Sequence, residues 1–217
     1  MNYVAVDTAS DILKVLVVKG GRREYFQCAD FKAASVALMP ELDACLKRCG
    51  ASLADMDCFA CVTGPGSFTG IRIGMATVKA FAYVFGKPVV PVTALDLLAY
   101  NNRGEETVIA VCNAGNGLRY TAVYDAALHT LMEPRCLTKE EFADFVGTVD
   151  EPFGVYADAA SADGVPGAHV PTEFGDAFAA AVERGMKNAV SGRELQPLYI
   201  RKPQAERDLE AKNDKKG

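Results

Sequence analysis

The chain repeats one design. Residues 3–29, "YVAVDTASDILKVLVVKGGRREYFQCA", and residues 108–134, "VIAVCNAGNGLRYTAVYDAALHTLMEP", share one order: apolar run, polar turn, apolar run, second turn, third strand-like run. Laid over each other they set Ala9 over Ala114 and Leu13 over Leu118. β-Branched and aromatic residues dominate between the breakers, so each copy predicts three strands, with turns at "DTASD" and "KGGR" in the first. Such self-similarity constrains the fold more tightly than composition does.

The segments downstream of the two copies correspond as well. After the first come a helical pattern at "AASVALMPELDACLKRCG" with Gly50 at its stop, the strand "DCFACV", a glycine-rich stretch running into a helix, and the strand "PVVPV". After the second come "TKEEFADFVGTV", with Thr138 and Glu141 at capping-box spacing, the strand "FGVYA" and the helix "EFGDAFAAAVERGMKN". The order βββαβα, twice over, predicts an α/β chain of duplicated lobes, residues 1–104 and 105–200, with a polar tail over 201–217. This is the architecture of the actin-like ATPase (ASKHA, ribonuclease H-like) class. The tail, "RKPQAERDLEAKNDKKG", mixes six Lys/Arg with four Asp/Glu and is expected to be solvated.

In that class a polar turn between the first two strands of each half holds nucleotide phosphates through backbone N–H groups and hydroxyls. The first turn offers Asp7, Thr8 and Ser10 for nucleotide contact, although Asx and hydroxyl side chains also bond their own backbone in ordinary turns. The second, "CNAGNG", has no carboxylate. Mg²⁺ and an activated nucleophile would call for an acid in each half, so a small-molecule kinase begins poorly here.

A formal net charge of −5 lacks the basic excess of a nucleic-acid-binding domain, so contact with tRNA is expected only through a complex. The seven cysteines, Cys28, Cys45, Cys49, Cys58, Cys61, Cys112 and Cys136, are odd in number. Cys58 and Cys61 form a CxxC inside a strand pattern, where alternation points them to opposite faces, so packed, reduced thiols fit better than a metal or redox pair. The first residues read as a strand rather than a signal peptide, and no uncharged apolar stretch is long enough to span a membrane. A cytoplasmic location is expected.

Residues 62–82, "VTGPGSFTGIRIGMATVKAFA", match neither GxxxxGK[ST] nor GxGxxG. The loop can cap a helix with Ser67 or Thr69. The helix from about Thr69 to Phe85, stopped by Gly86 and Pro88, is apolar or small nearly all round, and such a helix must be covered. Its charges, Arg72 and Lys79, share one face with Ala76 and Tyr83. Gly70 and Gly74, like Ala76 and Ala80, form small-residue steps that permit close approach of another backbone. Cover by another helix of the same chain and cover by a partner both satisfy this pattern.

Three stretches, "GPGSFTGIRIGMATVKAFA", "YVAVDTAS" and "PLYIRKPQAE", resemble in order and spacing the bacterial tRNA threonylcarbamoyladenosine biosynthesis family TsaB, also called YeaZ. The resemblance implies the two-lobed actin-like fold and a non-catalytic partner of the related protein TsaD. With the ATPase TsaE, TsaD transfers a threonylcarbamoyl group from its adenylate to the exocyclic amine of the adenosine 3′ of the anticodon in ANN-reading tRNAs. It further implies that the helix after the glycine loop, with the helix beginning near Ala34, forms the surface that meets TsaD or, without it, a second copy. The partner-interface residues are then Thr69, Gly70, Arg72, Ile73, Gly74, Ala76, Thr77, Lys79, Ala80 and Tyr83, and an adenine nucleotide can lodge near the joint. Gly74→Arg is accordingly expected to abolish pairing with little damage to the fold.

The chain also departs from the family. Ala34 stands where members often carry His, and Asn113, Ala114 and Gly115 stand where Asp-Ala-Arg is common. These losses argue against an independent nucleotide site and leave the packing argument untouched. A glycoprotease-like metallopeptidase would need an HxxxH pair. The two histidines, His129 and His169, are forty residues apart and fit surface or structural roles.

Overall fold

The computed structural model describes residues 1–29, 34–150 and 152–201. The expectations for residues 202–217, and for the side chain of Ala34, lie outside the described residues. The first half runs β1 (Tyr3–Asp7), β2 (Leu13–Lys19), β3 (Arg22–Cys28), α1 (Ala34–Arg48), β4 (Cys58–Val62), α2 (Phe68–Phe85), β5 (Val89–Val92) and α3 (Ala94–Ala99). The second runs β6 (Thr107–Gly115), β7 (Leu118–Asp125), β8 (Thr130–Leu137), α4 (Lys139–Gly147), β9 (Phe153–Ala157) and α5 (Gly175–Gly185).

The strands form two sheets, ordered β3-β2-β1-β4-β5 and β8-β7-β6-β9. In each, the two hairpin pairs are antiparallel and the strand after the helix joins in parallel, β4 beside β1 and β9 beside β6. β1 and β4 are buried along their whole length, which is why they read as unbroken apolar runs rather than alternations. The expected βββαβα duplication is therefore present, with β5 and α3 as additions to the first half.

Two features were not foreseen. The turns of the two copies differ: β1 ends at Asp7 and β2 starts at Leu13, whereas β6 runs on to Gly115 and turns through Asn116-Gly117. Asn116 and Gly117 both take positive φ, 54° and 75°, the geometry that a two-residue hairpin with native twist requires. α3 was also missed, being a six-residue helix capped reciprocally by Thr93 and Asp96.

α3 packs on β6 of the second sheet, while α5 of the second half lies over β5 and β2 of the first. Each half thus lends a helix to the other. α1 and α2 cover the opposite face of the first sheet, and α4 lies against β7 and β8. Tyr3 on β1 donates its hydroxyl to Glu183 on α5 at 3.2 Å, and a Cβ on Gly185 would stand 2.7 Å from Val90. One apolar cluster consequently runs from Val4 and Phe59 through Leu97 to Val108 and Phe178, so the halves at 1–104 and 105–200 share a core.

Candidate functional site

α2 begins where Ser67 accepts the Gly70 N–H on its side chain (3.2 Å) and ends at Gly86, whose φ of 63° is the left-handed cap glycine adopts at least cost. Ser67, not Thr69, is the cap. The chain's own residues bury one stripe only: Gly70, Ile71, Gly74, Met75, Val78 and Ala82. Thr69, Arg72, Ala76, Ala80, Tyr83 and Val84 face outward, and Ile73, Thr77 and Lys79 are half-buried along the margins. Tyr83 is 79% and Val84 70% exposed. The neighbouring helix α1 exposes Val36 at 75% and Met39 at 48%, so both helices present apolar groups to solvent. Among the described residues, none covers this outer face of the helix.

The glycine step points the other way, which corrects the interface expectation for Gly70 and Gly74. A Cβ on Gly70 would lie 1.8 Å from the Thr8 carbonyl oxygen, and one on Gly74 2.6 Å from Thr8 Oγ1. The Thr8 hydroxyl donates to the Gly70 carbonyl at 2.6 Å. These glycines let α2 sit down on the β1–β2 turn of the same chain. Gly74→Arg would therefore break the fold rather than a partner contact, because no long side chain fits between α2 and Thr8.

The loop before α2 is braced in the same manner. Ser67 donates its N–H to the Ala9 carbonyl (2.8 Å), and a Cβ on Gly66 would lie 2.3 Å from that oxygen. Two backbone donors of this loop, the Ser67 and Gly70 N–H groups, are thus engaged by the chain itself. The "PLYIR" stretch closes over this loop: Leu198 N–H bonds Thr63 O (2.8 Å), Tyr199 stacks on Phe68 with centroids 4.7 Å apart, and Arg201 reaches Ala114 O (2.9 Å).

Asp7 is fully buried. Its Oδ1 accepts the N–H groups of Ala9 (2.9 Å) and Ser10 (3.2 Å), and its Oδ2 accepts the Ser10 hydroxyl and the Lys14 ammonium (2.7 Å). Lys14 is itself buried and lies over the Phe174 ring at 4.5 Å. The carboxylate has no acceptor position left for a cation, and Thr8 is committed to α2. Of the three residues expected to touch nucleotide, only Ser10 lines the cleft between the halves, and its hydroxyl is spent on Asp7. Local turn bonds and Lys14 engage Asp7 and Ser10, and a tertiary bond to α2 engages Thr8.

The cleft is a cavity of about 140 Å³, lined mainly by apolar groups such as Ile12, Leu97, Leu98 and Val170. Drug-sized ligands need roughly 300 Å³ or more, so a nucleotide does not fit this arrangement. Asp11 faces it; burial first, then the Asp158 charge, pushes its carboxyl above the usual range. Asp158, just past β9, accepts Asn113 N–H (2.8 Å) and Ser161 N–H (2.7 Å). An acid does reach the cleft from the second half, but from a strand end instead of the turn. Sequence reading missed it because nothing near "YAD" marks its partners 45 residues earlier.

His129 pairs with Asp125 (3.0 Å) within the β7–β8 hairpin, and His169 packs on Tyr156 (5.1 Å between centroids). Among the described residues no group of three His, Cys, Asp or Glu is placed to hold a metal ion, and no helix is long and apolar enough to cross a membrane. Cys58 and Cys61 are wholly buried on β4, and burial pushes their thiols up to about 11 and about 12. Iodoacetamide is expected to leave both unmodified in the native protein and to label them only after denaturation, as read by peptide mass spectrometry. Modification of either under native conditions would contradict this packing.

Residues 31–171, well over half of the chain, match the family model described as TsaD, tRNA N6-adenosine threonylcarbamoyltransferase. The chain belongs to this family. Within the TsaD family its curated relatives include the tRNA threonylcarbamoyladenosine biosynthesis protein TsaB of Bacillus subtilis (strain 168), 31% identical over 130 residues, which cover 57% of this chain and 55% of that protein. The TsaB protein of Escherichia coli (strain K12) is 30% identical over 128 residues, again 57% and 55% of the two chains. The chain spans about half the length of the curated relatives it matches. A crystal structure described as an uncharacterized protein with similarity to peptidase YEAZ, from Pseudomonas aeruginosa, superposes with a TM-score of 0.74 over 92% of this chain and 99% of that one. At 21% identity that match speaks for the fold alone, and the fold is the actin-like α/β architecture. The resemblance to TsaB/YeaZ drawn from the three motifs is borne out.

Proposed function

We propose that this TsaD-family chain is the TsaB-type subunit of a tRNA threonylcarbamoyl transfer complex, pairing with TsaD in the cytoplasm and doing no chemistry itself. The observation that carries the reading is the exposed strip of Ala76, Ala80, Tyr83 and Val84 on α2, with Val36 and Met39 exposed on the neighbouring α1. Small residues flanked by exposed apolar ones let a second helix come close, and burying them returns about 25 cal/mol for each Å² removed from water. Arg72 and Lys79 frame the strip and set its polarity. Alone, the chain is expected to use this strip against a second copy. Pairing activates TsaD only insofar as the strip binds the transfer-competent arrangement better than the other. TsaE and tRNA join through TsaD.

A non-catalytic role is supported by the saturation of Asp7, by the commitment of Thr8 to α2, and by a cleft too small for nucleotide. An adenine nucleotide at the joint with TsaD would have to be held mainly by the partner, since Asp7, Thr8 and Ser10 do not fit that task.

Ala80→Arg tests the surface. Ala80 is exposed, so the variant is expected to melt within a degree or two of wild type. Its affinity for tagged TsaD should nevertheless fall by roughly 100-fold, because a desolvated, unpaired charge in an interface is costly. Co-purification and gel filtration read the result. Undiminished pairing with TsaD would remove the strip from the interface.

A further inference from the structure

Beyond the end of the partner strip lies a groove of about 710 Å³, walled by the C-terminal half of α2 and by residues 189–193. Lys79, Lys87 and Arg193 line it, and no carboxylate does. Among the described residues no hydrogen bond or ion pair engages any of these three side chains. Three unpaired cations around one groove stand out in a chain whose net charge is −5. A helix C-terminus favours one nearby cation, which accounts for Lys87 just past Gly86, but not for Lys79 two turns earlier or for Arg193 from a separate segment.

The segment carrying Arg193 is held firmly. Val190 and Val89 exchange backbone hydrogen bonds of 2.8 Å, so it lies along the edge of β5. Ser191 and Glu194 cap each other, N–H to side chain in both directions (3.1 and 3.3 Å). Gly192 touches α2, with a Cβ position 3.1 Å from Ala82 and 3.6 Å from Lys79 O. Arg193 is therefore set beside Lys79 by backbone contacts that need no ligand. Arg184 and Lys187, just upstream in sequence, line a separate groove that also holds Asp96 and Glu133, so the carboxylate-free lining belongs to the first groove.

We propose that this first groove, lined by Lys79, Lys87 and Arg193, binds the phosphodiester backbone of the tRNA held by the assembled complex. The inference rests on the partner-subunit reading above, which supplies the RNA. Tyr83 belongs both to the partner strip and to the groove wall, so the groove opens at the edge of the partner surface. Unpaired Lys and Arg on a rigid scaffold match a sequence-independent phosphate contact. The overall negative charge keeps such a contact weak until a partner contributes the rest.

The test is a titration of bulk tRNA into the chain assembled with TsaD, at several salt concentrations, with Lys87→Ala/Arg193→Ala as the variant, since Lys79 also borders the partner strip. These positions are exposed or half-buried and leave Ala76 and Ala80 intact. The variant should assemble normally, bind tRNA several-fold more weakly, and lose about 2 from the slope of log K against log salt. Equal affinity and slope would overturn the proposal. So would a variant that no longer assembles, because the groove would then be a protein contact. If the wild-type chain fails to pair with TsaD at all, the partner reading falls by itself. The same titration on the full chain alone at low salt then decides the groove: tRNA binding lost in the variant supports it, and no difference refutes it.

Discussion

Asp7→Ala is expected to destabilise the protein by about 3 to 5 kcal/mol, enough to leave a typical domain near its unfolding threshold. The loss comes from what remains. Lys14, only 2% exposed, keeps its ammonium beneath Phe174 with the Ser10 hydroxyl and, at 3.4 Å, the Ile12 carbonyl as its remaining partners. The N–H groups of Ala9 and Ser10 lose their acceptor at the same time, and the β1–β2 turn loses its shape. Lys14→Met is expected to be milder, since two N–H donors and a hydroxyl still satisfy Asp7. The double variant Asp7→Ala/Lys14→Met should recover part of the loss by removing the stranded charge. Urea unfolding of the three variants measures this. A stable Asp7→Ala variant that no longer binds ATP would instead return Asp7 to a nucleotide role.

Gly70→Ala should cost about 3 kcal/mol or more, the upper end of overpacking losses, for the gain of a single methyl group. That methyl would start 1.8 Å from a backbone carbonyl oxygen, and backbone cannot yield as a side-chain tip can. Relief requires α2 to lift from the β1–β2 turn, which also breaks the bond from Thr8 Oγ1 to Gly70 O. Gly74→Ala should be gentler, because the atom it meets is the Thr8 hydroxyl, which can rotate away at the cost of that one hydrogen bond, about 1 kcal/mol. Ala76→Ser, on the exposed side of the same helix, should be neutral within about 0.5 kcal/mol. Thermal and urea unfolding rank the three. A Gly70→Ala protein as stable as wild type would show that α2 does not seat on Thr8.

Both expectations concern residues whose types the sequence displays openly and whose tasks it conceals. "DTAS" reads equally well as a phosphate turn or as a self-bonded one, and what separates the two is Lys14, seven residues away and opposite Asp7 in the β1–β2 register. "GIRIG" reads as a surface made for another helix, and what turns it inward is the carbonyl of Thr8, sixty-two residues earlier. A spacing of four places two glycines on one face of a helix, but cannot say whether that face meets its own sheet or a stranger.

The amino-acid order alone determined the strands and most of the helices, the duplication, the Gly86 stop of α2 and the actin-like class. Those come from local periodicity and from turn residues, which act over a few positions. Tertiary structure alone decided which face of α2 is spent internally, that α3 and α5 cross to the opposite sheet, that Asp158 enters the cleft, and that Lys79, Lys87 and Arg193 converge. Each of these depends on contacts between residues far apart in the chain. Burial and close approach are properties of the packed arrangement, and no stretch of sequence carries them by itself.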